Sequence, residues 1–430
     1  MELIEWILQD RNIDEAIRNV KRNKGAAGVD GMTVDELDVY FALHRQELKT
    51  QIREGKYRPK PVRRVYIPKA NGKKRPLGIP TVTDRVVQQM IAQILSLGYD
   101  KYFSDYSYGF RPNSDCHGAI EKALEYLNDG YEWVIDLDIE KYFDTVNHDK
   151  LISILRERIN DAKTLRLIRQ FLRAGVMEDG LVSQSEEGVP QGGPLSPILS
   201  NIYLDKLDKE LESRGLHFVR YADDCDIFVK SEMAADRVMQ SVTSWLERKL
   251  RLRVSATKTK VVRPTKSNFL GFTFWKSKDG WKCRPAKDRK KKLYEKTREI
   301  LCRKKATART IKFTFMQLNW LIRGWINYYR IGSMKGFLDE YGQWLRHKVR
   351  VVILKQWKKP ETIFKNLTAL NRIQKCGFEE KRLLSVANAR QGWYRMATIR
   401  DINFLLNPTI LGKKTKSRPG LTDPLAYYLS

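Results

Sequence analysis

The sequence predicts an α+β protein: an antiparallel sheet with helices, followed by a helical and strongly basic region. Three observations lead there. Short runs rich in β-branched and aromatic residues alternate irregularly with helical periodicities, unlike the regular strand–helix repeat of a doubly wound sheet. Turn signals such as Asn71-Gly72 fall between neighbouring extended runs and join them as hairpins. From Ala286 the strand runs cease, and Lys287-Asp288-Arg289-Lys290-Lys291-Lys292 opens the helical part.

A chain of 430 residues with 42% hydrophobic content has enough apolar material for two or three domains with their own cores. Lys and Arg number 80 against 51 acidic residues, and the net charge of +29 makes a polyanion the expected partner. The 19 Tyr, 16 Phe and 10 Trp interleaved with these cations suit a partner that offers both phosphates and bases, which favours nucleic acid over a membrane. Met1-Glu2-Leu3-Ile4-Glu5-Trp6 lacks the basic and apolar order of a secretory signal, and no apolar run approaches bilayer length. The cysteines at 116, 225, 283, 302 and 376 are scattered, with no Cys-x-x-Cys pair, so reduced thiols in a cytoplasm are expected. The five histidines are equally dispersed and read as structural or surface residues.

In chain order, residues 1 to 58 are predicted helical apart from the glycine-rich loop Asn23 to Gly31. No Gly-Lys-Ser/Thr closes that loop, so it is no Walker loop; it either brings backbone to a nucleic acid strand or simply connects helices. Arg63 to Lys69 and Lys73 to Pro80 form a predicted hairpin around Asn71-Gly72. Its tip gathers Lys69, Lys73, Lys74 and Arg75, a cationic finger suited to a triphosphate or a phosphate backbone, with Arg63 and Arg64 at its base; a solvated basic turn is the plainer alternative. Helices follow over 81 to 128, interrupted by Tyr106 to Pro112.

Trp133 to Ile139 reads as a strand with an acidic exit at Asp138. A carboxylate at a strand end is fixed by the strand yet open to solvent, as a metal ligand must be, although a helix cap explains it too. After helices over about 149 to 175, the loop Glu186 to Pro197, centred on Gln191, feeds a helix over 198 to 214. Tyr221-Ala222-Asp223-Asp224 then lies between the β-type runs 217 to 220 and 227 to 229. Adjacent aspartates there hold a metal or merely form a turn. An amphipathic helix over 232 to 250, a short strand at Val254, the run Lys258 to Val262 and a strand-like Phe269 to Trp275 complete this part.

In the helical region, Phe315, Leu318, Ile322, Trp325 and Tyr329 recur at spacings of three and four and mark a core-facing stripe. Asn319, Arg323, Asn327 and Arg330 occupy a neighbouring face, which is expected to lie along a nucleic-acid groove. The remainder carries Lys358, Lys359, Lys413 and Lys414, and its last stretch is expected to be loosely ordered unless RNA docks. No repeat at a solenoid period is present.

Asp138, Asp223 and Asp224 all leave strand ends, and a hairpin beside another strand would gather them. Their repulsion then calls for a cation, and oxygen-only ligands select magnesium, with manganese as a substitute. Two such ions about 4 Å apart would activate a primer hydroxyl and stabilise departing pyrophosphate, with the cationic finger on the triphosphate.

The motif order resembles that of reverse transcriptases, and in particular bacterial group II intron-encoded maturases of the compact group IIC type, which lack the endonuclease domain. The resemblance rests on Tyr221 to Asp224, Asp138 to Asp144, Gly188 to Pro197 and Arg75 to Pro80 in the family's order, and on Leu318 to Arg330, similar to the maturase-specific thumb. It implies a right-hand polymerase: an N-terminal extension with fingers over 1–80, a palm with the remaining fingers over 81–285, a helical thumb over 286–345 and a basic nucleic-acid-binding region over 346–430. It implies that Asp138, Asp223 and Asp224 are catalytic metal ligands, joined by the Ile139 carbonyl. Lys69, Arg75, Phe143, Gln191 and Lys258 would contact the dNTP, with Phe143 as the gate against a ribose 2′-hydroxyl. Phe269, Leu270 and Gly271 match the primer grip. Ser255-Ala256-Thr257 lacks the acidic residue that relatives carry ahead of Lys258. The implied partners are group II intron RNA, an RNA template with a DNA or RNA primer, target DNA and dNTPs, in a bacterial cytoplasm near nucleoid or RNA. The implied function is RNA-directed DNA synthesis with assistance to splicing; an RNA-binding splicing cofactor with a vestigial polymerase centre is the alternative, and the presence of all three aspartates favours the first.

Overall fold

The structure, a computed structural model, describes the whole chain except residues 1, 69–71, 73, 179, 184, 185, 416 and 417, and the side chain of Arg303. It divides between Phe269 and Leu270 into two units. In order, the strands are β1 (Val62–Pro68), β2 (Lys74–Ile79), β3 (Trp133–Leu137), β4 (Val176–Glu178), β5 (Leu181–Ser183), β6 (His217–Tyr221), β7 (Asp224–Val229), β8 (Lys260–Val262), β9 (Phe272–Ser277) and β10 (Gly280–Pro285).

The sheet that matters most has the order β6-β7-β3-β8, with antiparallel pairing throughout. Its centre is apolar because both faces are covered: Val134, Ile135, Phe218, Ile227 and Phe228 are almost fully buried. Two long helices, Val82–Tyr99 and Ser196–Ser213, contribute Val86, Ile91, Leu204 and Leu207 to the same core. Thr81 caps the first, its hydroxyl accepting from Asp84 N.

The second sheet, β2-β1-β4-β5, holds the expected hairpin, paired from Arg63↔Ile79 to Pro68↔Lys74. Its turn signal Asn71 and the finger residues Lys69 and Lys73 lie outside the described residues. The extension of this sheet was not legible in the sequence. Helices expected through residue 175 end at Leu172, and the chain turns into β4, which runs parallel to β1, and then β5. Each of these strands is three residues long, β4 mostly half-buried and β5 exposed, too short to show an alternation.

The second unit contains β9 and β10 as a separate two-stranded sheet. That places the hairpin with the helices, so the division falls ahead of the expected 285/286 boundary: Phe272 packs on Tyr328 and Tyr329, and Ser333 N donates to Cys283 O at 2.9 Å. In the Ile311–Tyr329 helix, Phe315, Leu318, Ile322 and Tyr329 are buried, as the spacing predicts.

The polar side of that helix is not the open face expected. The chain's final segment lies along it: Asn319 Nδ2 donates to Gly420 O at 2.7 Å and its Oδ1 accepts from Thr422 N at 2.8 Å. Arg323 Nε donates to Thr422 Oγ1 at 2.9 Å, and Tyr427 reaches Asn327 at 3.1 Å. The final stretch expected to be loosely ordered is therefore held in place at residues 418–430 and ends in the helix Pro424–Leu429. Its composition suggested disorder, but backbone groups that bond to a helix side chain need no apolar content to be held. Among the described residues no helix is long and apolar enough to cross a membrane.

Replacing Asn319, 7% exposed, with Ala removes both anchors and takes their partner from the buried Thr422 N–H and the part-buried Gly420 carbonyl. Asn319→Ala should cost about 1–3 kcal/mol of stability in denaturant unfolding and speed proteolysis after Lys413 and Lys414. Unchanged cleavage rates would show that the segment is held elsewhere.

Candidate active site

The site begins with a two-residue turn. Tyr221 and Asp224 are the last register pair of β6 and β7, so Ala222 and Asp223 alone connect the strands. Ala222 has φ +59°, a left-handed conformation that an alanine adopts only under constraint. Two neighbours supply the constraint. Gly109, from the Tyr106 to Pro112 stretch, lies so close that a Cβ on it would stand 2.3 Å from Ala222 N, which only glycine permits. Arg220, with no exposed surface, donates to Ala222 O at 2.8 Å.

Arg220 is the hub of a buried network. Its guanidinium pairs with Asp208 through two bonds and donates to Ser107 Oγ at 2.7 Å and Asn201 Oδ1 at 3.2 Å, while Asn201 Nδ2 donates to Gly109 O at 2.8 Å. Every partner that fixes the turn is thereby fixed to another. Burial lowers the Arg220 pKa and Asp208 raises it, and the net direction is upward, so the guanidinium stays charged.

The sheet register places the carboxylates. β3 and β7 pair Asp136 with Asp226 and Leu137 with Cys225; Asp138 and Asp224 are the next residues along the two chains, near enough for Asp138 to act on the Asp224 carboxyl. Residues two apart share a face and directly opposed residues lie about 5 Å apart, so Asp136, Asp138, Asp224 and Asp226 form a column on one face. Asp224 retains solvent-exposed surface, yet the protein around its carboxyl, then Asp223, Asp136 and Asp138, push its pKa up to about 6. Burial, and then Asp136 and Asp224, raise Asp226 far above the usual carboxylate range; Ser267 Oγ is its bonding partner at 3.4 Å. Asp136 is also raised, by burial and Asp138. The flank is cationic: β8 sets Lys260 opposite Asp136, and Lys258 Nζ bonds both oxygens of Asp138 at 2.8 and 2.9 Å.

Asp136 and Asp226 escaped the sequence reading. Their signal was available as Asp136-x-Asp138 and Asp224-x-Asp226, two alternations of the same charge on strands whose other faces are apolar.

Asp223 leads off the column into a cavity of about 640 Å³ that also reaches Arg75, Phe143 and Gln191. These expected contacts, far apart in sequence, therefore share one space. Arg85 and Asn23 line it as well, Asn23 from the glycine-rich loop whose sequence either brings backbone to a nucleic acid strand or connects helices; neither residue carries a sequence signal of its own. Phe143 also walls a neighbouring cavity of about 400 Å³ with Arg64. Its ring packs edge-on against buried Tyr142, whose hydroxyl donates to Ser200 O at 3.3 Å. The Gln191 loop is pinned to β2 by Gly78 N, which donates to Gln191 O at 2.8 Å. Ile139 is buried and bridges to Val254.

Among the described residues no three His, Cys, Asp or Glu side chains converge on one point to hold a metal ion as they stand. The donor chemistry fits a hard dication nonetheless: carboxylates only, crowded enough to raise one another's pKa, with an ammonium already drawn to the set.

Residues 67–274 match the reverse transcriptase (RNA-dependent DNA polymerase) family, and residues 290–370 match the group II intron maturase-specific domain. Protein YkfC of Escherichia coli K12 is 36% identical over 299 residues, covering 60% of this chain and 78% of YkfC. Group II intron-encoded protein LtrA of Lactococcus lactis subsp. cremoris is 39% identical over 219 residues, covering 51% of this chain and 36% of LtrA. The chain belongs to the group II intron-encoded reverse transcriptase/maturase family. Nuclear intron maturase 3, mitochondrial, of Arabidopsis thaliana is 26% identical over 277 residues, 57% of this chain and 37% of that protein. The chain thus spans well under half of LtrA and of this maturase. A solved partial Cas6-RT-Cas1--Cas2 complex includes a chain that is 25% identical, with a TM-score of 0.38, covering 57% of this chain and 43% of its own.

The other expected contacts of this reverse transcriptase/maturase chain are distributed as follows. Phe269 is buried at the end of the first unit; Leu270 (φ +51°) and Gly271 (φ +82°) open the second, where Tyr328 donates to Leu270 O at 3.0 Å. Arg63 is exposed and donates to Ala27 O at 2.7 Å, and Lys74 lies 5.8 Å from the Tyr66 ring. Lys291, Arg330, Lys358, Lys359, Lys413 and Lys414 are exposed, whereas Lys290 is half-buried over Phe337.

Removing the hub should unfold the turn's support. Arg220→Met strands the Asp208 charge in the core, and a loss of about 3–5 kcal/mol is expected, read as a lower denaturation midpoint. Stability within 1 kcal/mol of wild type would refute the network's role.

Proposed function

We propose that this chain is an RNA-directed DNA polymerase that extends a primer 3′-hydroxyl with dNTPs on an RNA template, and that it binds group II intron RNA as a maturase. The observation that carries the reading is the β3–β7 register that brings Asp138 and Asp224 to neighbouring strand ends, with Asp223 opening into the cavity shared by Arg75, Phe143 and Gln191. A splicing cofactor with a vestigial centre has no use for that arrangement, and the alternative is not favoured.

Asp138, Asp223 and Asp224, with the Ile139 carbonyl, are proposed to hold two Mg²⁺, for which Mn²⁺ can substitute. Bound there, the ions supply charge that makes the primer hydroxyl more acidic and stabilises departing pyrophosphate. Arg75, and Lys69 from the finger, take the triphosphate. Gln191 and the glycines after it present backbone to the nascent base pair. Lys258 holds Asp138 until a dication takes its place, and then lies beside the reacting phosphates. Phe143, braced by Tyr142, is proposed as the gate against a ribose 2′-hydroxyl.

The maturase-specific domain and the charge of +29 support nucleic acid as the partner class. Within it, intron RNA, primed RNA template and target DNA are the proposed ligands, engaged by Arg63, Arg64, Lys73, Lys74, Phe269 to Gly271 and the basic residues of the second unit. A bacterial, RNA- or nucleoid-associated location belongs to the same reading.

Asp223→Asn should abolish cDNA synthesis in primer extension with magnesium while largely sparing intron-RNA binding; full extension would sink the metal assignment. Phe143→Val should raise incorporation of ribonucleotides relative to deoxyribonucleotides by roughly tenfold or more. Unchanged discrimination would remove Phe143 from the gate.

A further inference from the structure

We propose that a cavity of the second unit, walled by Trp275 and Phe337 and ringed by lysines and an arginine, is a pocket for one unstacked nucleotide of a single-stranded nucleic acid. The inference deepens the reading of the chain as a nucleic-acid-binding polymerase and rests on it.

The β9–β10 register explains the pocket. Phe272↔Pro285, Phe274↔Cys283 and Lys276↔Trp281 define one side of the hairpin, on which Phe272, Phe274, Cys283 and Pro285 are buried. The opposite side pairs Thr273 with Arg284 and Trp275 with Lys282. A tryptophan on the polar side of a hairpin needs a reason. Trp275 Nε1 is buried and bonds to nothing, so this indole is present for its face rather than its donor.

That face borders a cavity of about 460 Å³, within the range of about 300–1,000 Å³ common for small-ligand sites. Phe337, from the first turn of the Lys335–Trp357 helix, and Tyr428, from the last helix, give further aromatic walls. Tyr428 is fixed by donating to Gly332 O at 3.0 Å.

Lys282, Arg284, Lys290 and Lys335 line the space, and among the described residues no carboxylate does. Asp279 pairs with Lys282 from outside. Lys290, 4.9 Å from the Phe337 ring centre, is crowded enough that burial, and then Arg284, lower its pKa, with Glu340 opposing. Concentrated cations beside aromatic faces are the complement of a phosphate joined to a base. A base enters such a cavity only when it is out of a duplex stack, which selects single strands or hairpin loops. A free mononucleotide offers the same chemistry.

The test uses the full chain and a single-stranded RNA ten-mer with a central 2-aminopurine, followed by anisotropy and fluorescence at several salt concentrations. Arg284→Ala/Lys335→Ala should weaken binding about tenfold and flatten the slope of log affinity against log salt by about one. Trp275→Leu should abolish 2-aminopurine quenching on binding. Wild-type affinity, slope and quenching in these variants would overturn the pocket. Because a variant can misfold, wild-type protein is also crosslinked to 4-thiouridine RNA: peptides containing Trp275 or Phe337 are expected, and crosslinks found solely elsewhere would overturn it. Displacement of the ten-mer by AMP would support the pocket and name the free nucleotide as a second source; resistance to AMP with binding intact would support a strand alone. Primer extension by Asp223→Asn, measured alongside, separates the two readings: full extension there would overturn the polymerase reading whatever the pocket variants do, and wild-type binding by the pocket variants would overturn the pocket whatever Asp223→Asn does.

Discussion

Mutual repulsion among aspartates is the constraint on which the first unit turns. Asp136, Asp138, Asp224 and Asp226 occupy one face of two paired strands, and burial has taken part of this set out of the water that would otherwise screen it. Such a set persists only if the backbone cannot relax away from it. The backbone is held by core strands whose opposite side is Ile135, Leu137 and Ile227, and by cations on the flank, Lys258 bonded to Asp138 and Lys260 paired across from Asp136. Apolar burial thus offsets an electrostatic cost, and the remaining charge is met by Lys258 and Lys260.

The turn carrying Asp223 is a second expression of the same arrangement. A left-handed alanine and a fully buried ion pair are both unfavourable features in isolation. Here they stabilise each other: the Arg220 guanidinium is satisfied by Asp208, Ser107, Asn201 and the Ala222 carbonyl, and Gly109 leaves the turn just enough room. Rigidity of this kind suits a group that must point at a reacting atom, since a loose carboxylate would spread its charge over positions where it stabilises nothing.

The two units divide their labour by chemistry. The first concentrates acid in a sheet and opens it to a cavity; the second begins its helices with the lysine-rich Lys287–Ile300 and sets cations over aromatic rings, as with Lys290 on Phe337, Arg298 on Trp344 and Lys348 on Tyr394, a contact the first unit also makes with Arg158 on Tyr102. Apolar stems and rings lower the hydration of such cations.

By itself the sequence determined the sheet-and-helix class, the β6–β7 hairpin around Tyr221 to Asp224, the strand ending at Asp138 and the apolar stripe from Phe315 to Tyr329. Each of these is a local pattern, set by periodicity or turn chemistry within a few residues. Motif order carried the family, because Arg75, Asp138, Gln191 and Asp223 constrain one another along the chain. What only the tertiary structure decided depends on partners distant in sequence: the β1–β4 pairing, the register that adds Asp136 and Asp226 to the column, and the Arg220–Asp208 hub. The bond of Lys258 to Asp138 and the chain end laid over Asn319 are of the same kind. No periodicity encodes which strand edge a three-residue run joins, or whether a polar helix face meets solvent, nucleic acid or its own chain, since those outcomes are fixed by what the rest of the fold leaves unpaired.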